Sequence, residues 1–164
     1  MPTIEVPLRR FSVVSTRPFD DIVSRLTATI GQPDMSAFRR EMTSATTSAE
    51  LEKLVCQAVG SSDLMEFIRF DAGEILRKER SEKQPRILRF VVGNPLIMSE
   101  MAKTVPDAAA YAPVTILVDE RADGVHLSYD SMASVLAPYR NELALKVARS
   151  LDSKIILMLK AAAE

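Results

Sequence analysis

One cysteine, one histidine and almost no net charge remove most routes to a diagnosed chemistry from this chain of 164 residues. The lone Cys56 excludes an internal disulfide and a thiolate metal cage. The lone His126, with acidic residues scattered rather than spaced, gives neither a His-Glu-x-x-His zinc pair nor an acidic calcium loop, so no metal is expected. The formal net charge is −1 and basic residues are spread along the chain, which leaves nucleic-acid binding without its electrostatic footprint. No apolar run approaches the roughly eighteen residues of a membrane span. Residues 1–10 carry charge but no apolar centre, so no secretory signal is expected and the cytoplasm is the simplest address.

What is present describes an ordinary globular chain: 47% hydrophobic residues and 26% charged, with a mean hydropathy near zero. At this length a single domain spanning residues 1–164 buries about 70% of its unfolded surface and needs no covalent staple.

The most informative stretch is Val91-Val92-Gly93-Asn94-Pro95-Leu96-Ile97-Met98. A β-branched run ends at Gly-Asn-Pro, where Pro fixes φ for a first helical turn and Asn caps the orphan N–H groups behind it. A strand therefore runs directly into a helix. Capping predicts that Asn94→Ala costs about 1 kcal/mol and that Asn94→Asp, which keeps the acceptor, retains most of the stability. With no basic residue within three positions, anion binding at this helix end is the weaker reading.

Elsewhere, alternation predicts strands over 8–16, 64–71, 86–92, 114–121 and 125–130, the last two joined as a hairpin through Ala122-Asp123-Gly124. Helical spacing predicts helices over 19–30, 34–45 and 48–59, the third opened by a Thr47/Glu50 capping box. Residues 72–80 read as a helical turn or an irregular strand and lead into a charged, solvated loop. A final helix over 141–163 carries Leu143, Val147, Leu151, Ile155 and Leu159 as one stripe. Cys56 falls in an apolar helix and reads as a buried small hydrophobe. Met98 and Met101, three apart on a helix, read as core.

No helix separates the strands over 114–130, so an antiparallel sheet packed by helices, an α+β fold, is favoured over a parallel α/β sheet. Several strands are apolar on both faces: Ile87, Val91 and Leu117 project opposite to Leu88, Phe90, Val92, Ile116 and Val118. The second face calls for a cover, either a twin subunit or the helical pair of residues 32–60.

These residues carry a resemblance. The helix opening Pro18-Phe19-Asp20-Asp21, the run Arg86 to Pro95, the run Ala110 to Val118 and the strand Val125 to Asp130 resemble the family known as domain of unknown function 302. The resemblance covers about 8–30 and 64–139. It implies a compact α+β fold with an antiparallel sheet, similar in layout to TATA-binding-protein-like folds and usually homodimeric, and it brings no established activity. This chain departs from it in a helical insertion over about 32–62 and in the Val92-Gly93 pair before Asn94-Pro95.

Candidate chemistry is sparse. His126 shares a strand face with Ser128, and Asp119 on the paired strand is the carboxylate placed to orient it as an acid–base pair. An exposed or interfacial strand histidine is the stronger reading. A Ser128–His126–Asp119 triad fails because Ser and His sit two apart on one strand without a nucleophile turn. Tyr129-Asp130-Ser131 reads as the cap of a short helix. The sequence thus points to a non-catalytic homodimeric domain that binds or senses a small ligand, without cofactor. Its pocket lies between sheet and helix or along the dimer seam, with Arg69, Arg89, Asn94, His126 and Tyr129 as candidate polar contacts. A structural or assembly module, and an enzyme using His126 with a nearby carboxylate, are the alternatives.

Overall fold

Positions 114, 116 and 118 (Val, Ile, Val) are buried while Thr115 and Leu117 between them are half-exposed, and this strand forms the centre of a sheet. The computed structural model describes residues 5–79 and 85–164, with Glu79 described in its backbone only. Its strands are β1 (Arg10–Ser15), β2 (Met65–Asp71), β3 (Ile87–Gly93), β4 (Val114–Arg121) and β5 (Gly124–Asp130). They form one antiparallel sheet in the order β1-β5-β4-β3-β2. The β4–β5 hairpin closes on an Arg121–Gly124 pair, and Gly124 takes φ 137°, a conformation that side chains rarely adopt.

Helices α1 (Phe19–Thr27), α2 (Met35–Ser44) and α3 (Ser48–Ala58) lie between β1 and β2, and α4 (Ala72–Glu79) follows β2. Helices α5 (Pro95–Ala102) and α6 (Ala108–Tyr111) join β3 to β4. Helix α7 (Met132–Leu136) and the long α8 (Glu142–Ala163) close the chain. The fold is α+β, an open antiparallel sheet packed by helices. The Thr47/Glu50 capping box is present at α3. Residues 72–79 are helical, and the charged stretch 80–84 lies outside the described residues.

One face of the sheet carries the core. Phe90, Val92, Ile116, Val118, Leu127 and Tyr129 pack with Ile22 and Leu26 of α1 and with Ala148, Leu151, Ile155 and Leu159 of α8. Burying a large apolar side chain is worth about 1.5–3 kcal/mol, so this layer dominates the stability. Leu143, placed in the α8 stripe by sequence, is 68% exposed. Strict four-residue spacing turns by about 40° per step and by about 160° over four steps, so 143 and 159 cannot share a face. Ala144, Leu145 and Ala148 take the buried positions instead.

The helical pair α2–α3 builds a second, smaller cluster from Phe38, Val55 and Met65, against which Leu51, Leu54, Phe67 and Leu96 pack. Its apolar side is spent at the β2 edge and on α5, not over the second sheet face. Cys56, read from sequence as buried, is exposed. It lies about 100° around α3 from Val55, outside a stripe only wide enough for Leu51, Leu54, Val55 and Ala58. The pair enters and leaves through touching backbone: the N–H groups of Gly31 and Gly60 both donate to the Leu64 carbonyl at 2.9 Å.

Candidate functional site

Strand β3 ends where a side chain would crowd its neighbours. A Cβ on Gly93 would lie 3.0 Å from Pro113 Cβ and 3.6 Å from Phe67 Cε2. Asn94 follows in extended conformation as N-cap of α5, with Pro95 in the first turn. Its Oδ1 accepts from the Leu96 N–H at 2.9 Å, the bond expected from sequence. Its Nδ2 donates to the Asp63 carbonyl at 3.1 Å and to Asp63 Oδ1 at 3.2 Å. Asp63 has φ 61° and is ion-paired with Lys154 of α8. The cap therefore ties α5, the approach to β2 and α8 together.

Behind this turn lies an apolar recess of about 170 Å³. Met42 of α2, Phe67 of β2, Met98 and Met101 of α5, Pro113 at the start of β4 and Leu151 of α8 line it, and no charged residue does. Met101 is fully buried, whereas Met42 is 40% exposed and Pro113 is exposed as well. Two of the larger depressions differ in kind. One, of about 800 Å³, runs between α1, α8 and Ser61–Asp63 and includes Arg25, Asp63 and Lys154. The other, of about 740 Å³, lies over Phe11, Ser134, Arg149 and Asp152.

Asp152 is the functional-looking residue that sequence reasoning missed. Its buried carboxylate accepts from Tyr129 Oη at 2.6 Å, Ser131 Oγ at 2.5 Å, Met132 N at 2.8 Å and Ala133 N at 3.2 Å. It thus caps the N-terminus of α7 from another helix, and Ser131 adds the ordinary cap by accepting from Ser134 N at 3.1 Å. With four donors on two oxygens the carboxylate is saturated, which makes this a structural knot. Burial first, and then the hydrogen bond and charge of Asp152, push the Tyr129 phenol far above the ordinary tyrosine range. The available signal was a carboxylate inside the α8 stripe, at helical spacing with Ala148, Ile155 and Leu159.

The polar residues named from sequence do not meet at one point. Tyr129 faces the helices, while His126 and Arg89 lie on the other sheet face, on strands separated by β4. Arg89 is exposed and donates to Thr115 Oγ1 at 3.3 Å. Arg69, on edge strand β2, forks onto Glu66 and sits 4.9 Å from the Phe90 ring centroid. Asn94 alone borders the recess. His126 Nε2 is 2.8 Å from Asp123 Oδ1, at the hairpin turn, and this contact holds the Asp123 carboxyl below its usual range. Asp119 is the register partner of His126, but its carboxylate is taken by Arg121. Among the described residues no group of three His, Cys, Asp or Glu side chains could hold a metal ion, and no helix is long and apolar enough to cross a membrane.

The fold and its sequence have known counterparts. The crystal structure of an uncharacterized conserved protein DUF302 from Bacillus stearothermophilus superimposes with a TM-score of 0.64 over 93% of this chain and 97% of that one, at 9% identity. No curated protein matches. The family model for Domain of unknown function DUF302 matches residues 40–162, from within α2 almost to the end of α8. That match covers most of the sequence, and the chain belongs to the DUF302 family.

Proposed function

We propose that this protein is a non-catalytic, homodimeric, cytoplasmic domain that binds or senses a small ligand, with the recess beside Asn94 as its site. The observation that carries this reading is the recess itself: a half-enclosed apolar space where α2, β2, β3, α5, β4 and α8 converge. A ligand there would touch nearly every layer of the fold, as a sensing role requires. In this reading the helices of residues 32–62 elaborate a smaller sheet core, and their Met42 reaches the site.

Self-association is supported by the second sheet face. Neither buried apolar cluster among the described residues includes Val14, Ile68, Phe70, Ile87, Val91 or Leu117, and the first three are 47–53% exposed. A second copy of the chain is the occupant proposed for that face, since its charges are of both signs and favour neither a polyanion nor a polycation. The enzyme alternative has less support, because His126 is engaged by an exposed turn carboxylate and Asp119 by Arg121.

Thermal unfolding in the presence of fractionated small-metabolite pools, with native mass spectrometry of the purified protein, tests the reading. A ligand at a hundred times its Kd adds about 2.7 kcal/mol to the apparent stability, a shift of several degrees. Neither a co-purified mass nor a shift from any fraction would remove the ligand-binding reading.

A further inference from the structure

We infer that the recess beside Asn94 takes a small uncharged aromatic ring, admitted past Met42. The inference rests on the ligand-binding reading above and narrows it to a chemical class. Size comes first: about 170 Å³ is close to the roughly 150 Å³ of an apolar cavity that takes one benzene ring, and well below the 300 Å³ or more of drug-sized sites.

Polarity comes second, and it excludes charged and strongly hydrogen-bonding ligands. Both ends of the Asn94 amide are engaged, by Leu96 on one side and Asp63 on the other. Pro95 and Pro113 have no N–H to offer. Gly93 is held in the β2–β3 ladder opposite Met65. A ligand bringing a charge or several donors would give up its hydration and find no replacement.

The lining decides between ring and chain. Three thioethers, from Met42, Met98 and Met101, surround the space together with Phe67. Thioether sulfur makes favourable contacts with aromatic rings, and methionine's unbranched side chain adjusts to a flat guest. Met42 is the most exposed member of this set, Met98 and Phe67 being half-buried, and it sits on α2, a helix whose only buried side chain is Phe38. It is the side chain that can swing aside without disturbing the core.

The test is a titration of full-length protein carrying ¹³C-methyl methionine, with toluene, cyclohexane and benzoate as probes. Toluene is expected to shift the Met42, Met98 and Met101 methyl resonances saturably, with cyclohexane at least several-fold weaker and benzoate without effect. Met98→Phe, which adds a ring to the lining, should weaken toluene at least tenfold, and Gly93→Ala, which narrows the turn side, should do the same. If either variant fails to unfold cooperatively, the wild-type probe series still decides. Equal binding of cyclohexane or of benzoate overturns the aromatic assignment, as does the absence of saturable shifts at the three methyls. Should toluene fail while a metabolite fraction stabilises the protein, this inference falls and the ligand-binding reading stands. Should both fail, the reading falls as well.

Discussion

Asn94 and Asp63 are joined by two hydrogen bonds, both donated by the Asn94 amide, at 3.1 Å to the carbonyl and 3.2 Å to the carboxylate. The cap of α5 is therefore a tertiary contact as well as a local one. It changes what substitution should do. Sequence reasoning expects Asn94→Asp to be nearly neutral, since Asp also accepts from the Leu96 N–H. In the fold, Asp removes both donors and sets a second carboxylate against Asp63. We expect Asn94→Asp to cost at least as much as Asn94→Ala, about 2 kcal/mol from one cap and the bonds to Asp63. The penalty of the Asp variant should shrink as acid protonates the introduced carboxyl, whereas that of the Ala variant should not. Denaturant unfolding of both variants at neutral and acidic pH checks this, and a fully stable Asn94→Asp protein would remove the Asp63 link.

Asp152 should be the most sensitive polar position in the molecule. Asp152→Ala leaves Tyr129, Ser131 and the first N–H groups of α7 without their acceptor in a buried setting, at a cost of about 3 kcal/mol or more. Asp152→Asn restores the shape but aims an amide donor at a ring of donors, and is expected to recover less than half the loss. Tyr129→Phe should cost about 1–2 kcal/mol. Melting curves of the three variants give the order directly, and equal effects from Asp152→Ala and Tyr129→Phe would contradict the four-donor arrangement.

Tyr129 also predicts an alkaline limit. Its folded pKa lies above its unfolded value near 10, because burial and the Asp152 carboxylate both disfavour the phenolate. For a group raised in this way the stabilisation is fully present below the unfolded pKa and is lost as pH climbs above it, since only the unfolded chain releases the proton. Stability should fall above about pH 10. Tyr129→Phe, less stable at neutral pH, should lose less over the same range. Urea midpoints between pH 8 and 11 decide it; parallel decline of wild type and variant would place the alkaline sensitivity elsewhere.

Gly60 has no room for a side chain. A Cβ there would lie 2.3 Å from the Thr29 carbonyl oxygen and 2.6 Å from Gly31 N, and these are backbone atoms that cannot swing away. Gly60→Ala is expected to cost about 3 kcal/mol, at the upper end of overpacking, by separating the two ends of the α2–α3 segment. Hydrogen exchange at the Gly31 and Ser62 amides should rise in the same variant.

Replacing Ile68 and Phe70 by Lys tests the proposed self-association. Both side chains are about half exposed on the edge strand β2, so the folded monomer should lose little stability. Sedimentation at micromolar concentration should show a dimer for the wild type and a monomer for the double variant. A monomeric wild type would sink the dimer, leaving the recess and its ligand untouched.

Sequence alone determined what depends on near neighbours. Period-two alternation placed the strands and sorted Ile116 and Val118 from Leu117, because side chains on a strand alternate whatever lies beyond it. Asn94-Pro95 announced a capped helix and Thr47 with Glu50 a capping box, since those bonds close within four residues. The resemblance to DUF302 was legible for the same reason, in contiguous runs. Contacts between distant segments were decided only by the tertiary structure. The Asn94 amide found Asp63, thirty-one residues away, and the α8 carboxylate of Asp152 found the N-terminus of α7. Cys56 and Leu143 turned outward because the width and rotation of a buried stripe are set by what packs on it. That Tyr129 and His126, three apart on β5, lie on opposite faces was by contrast already fixed by strand alternation; what the tertiary structure added is that Tyr129 meets Asp152 and His126 meets Asp123. The recess draws Met42, Phe67, Met101, Pro113 and Leu151 from five separate segments, so no local pattern in the chain could have marked it.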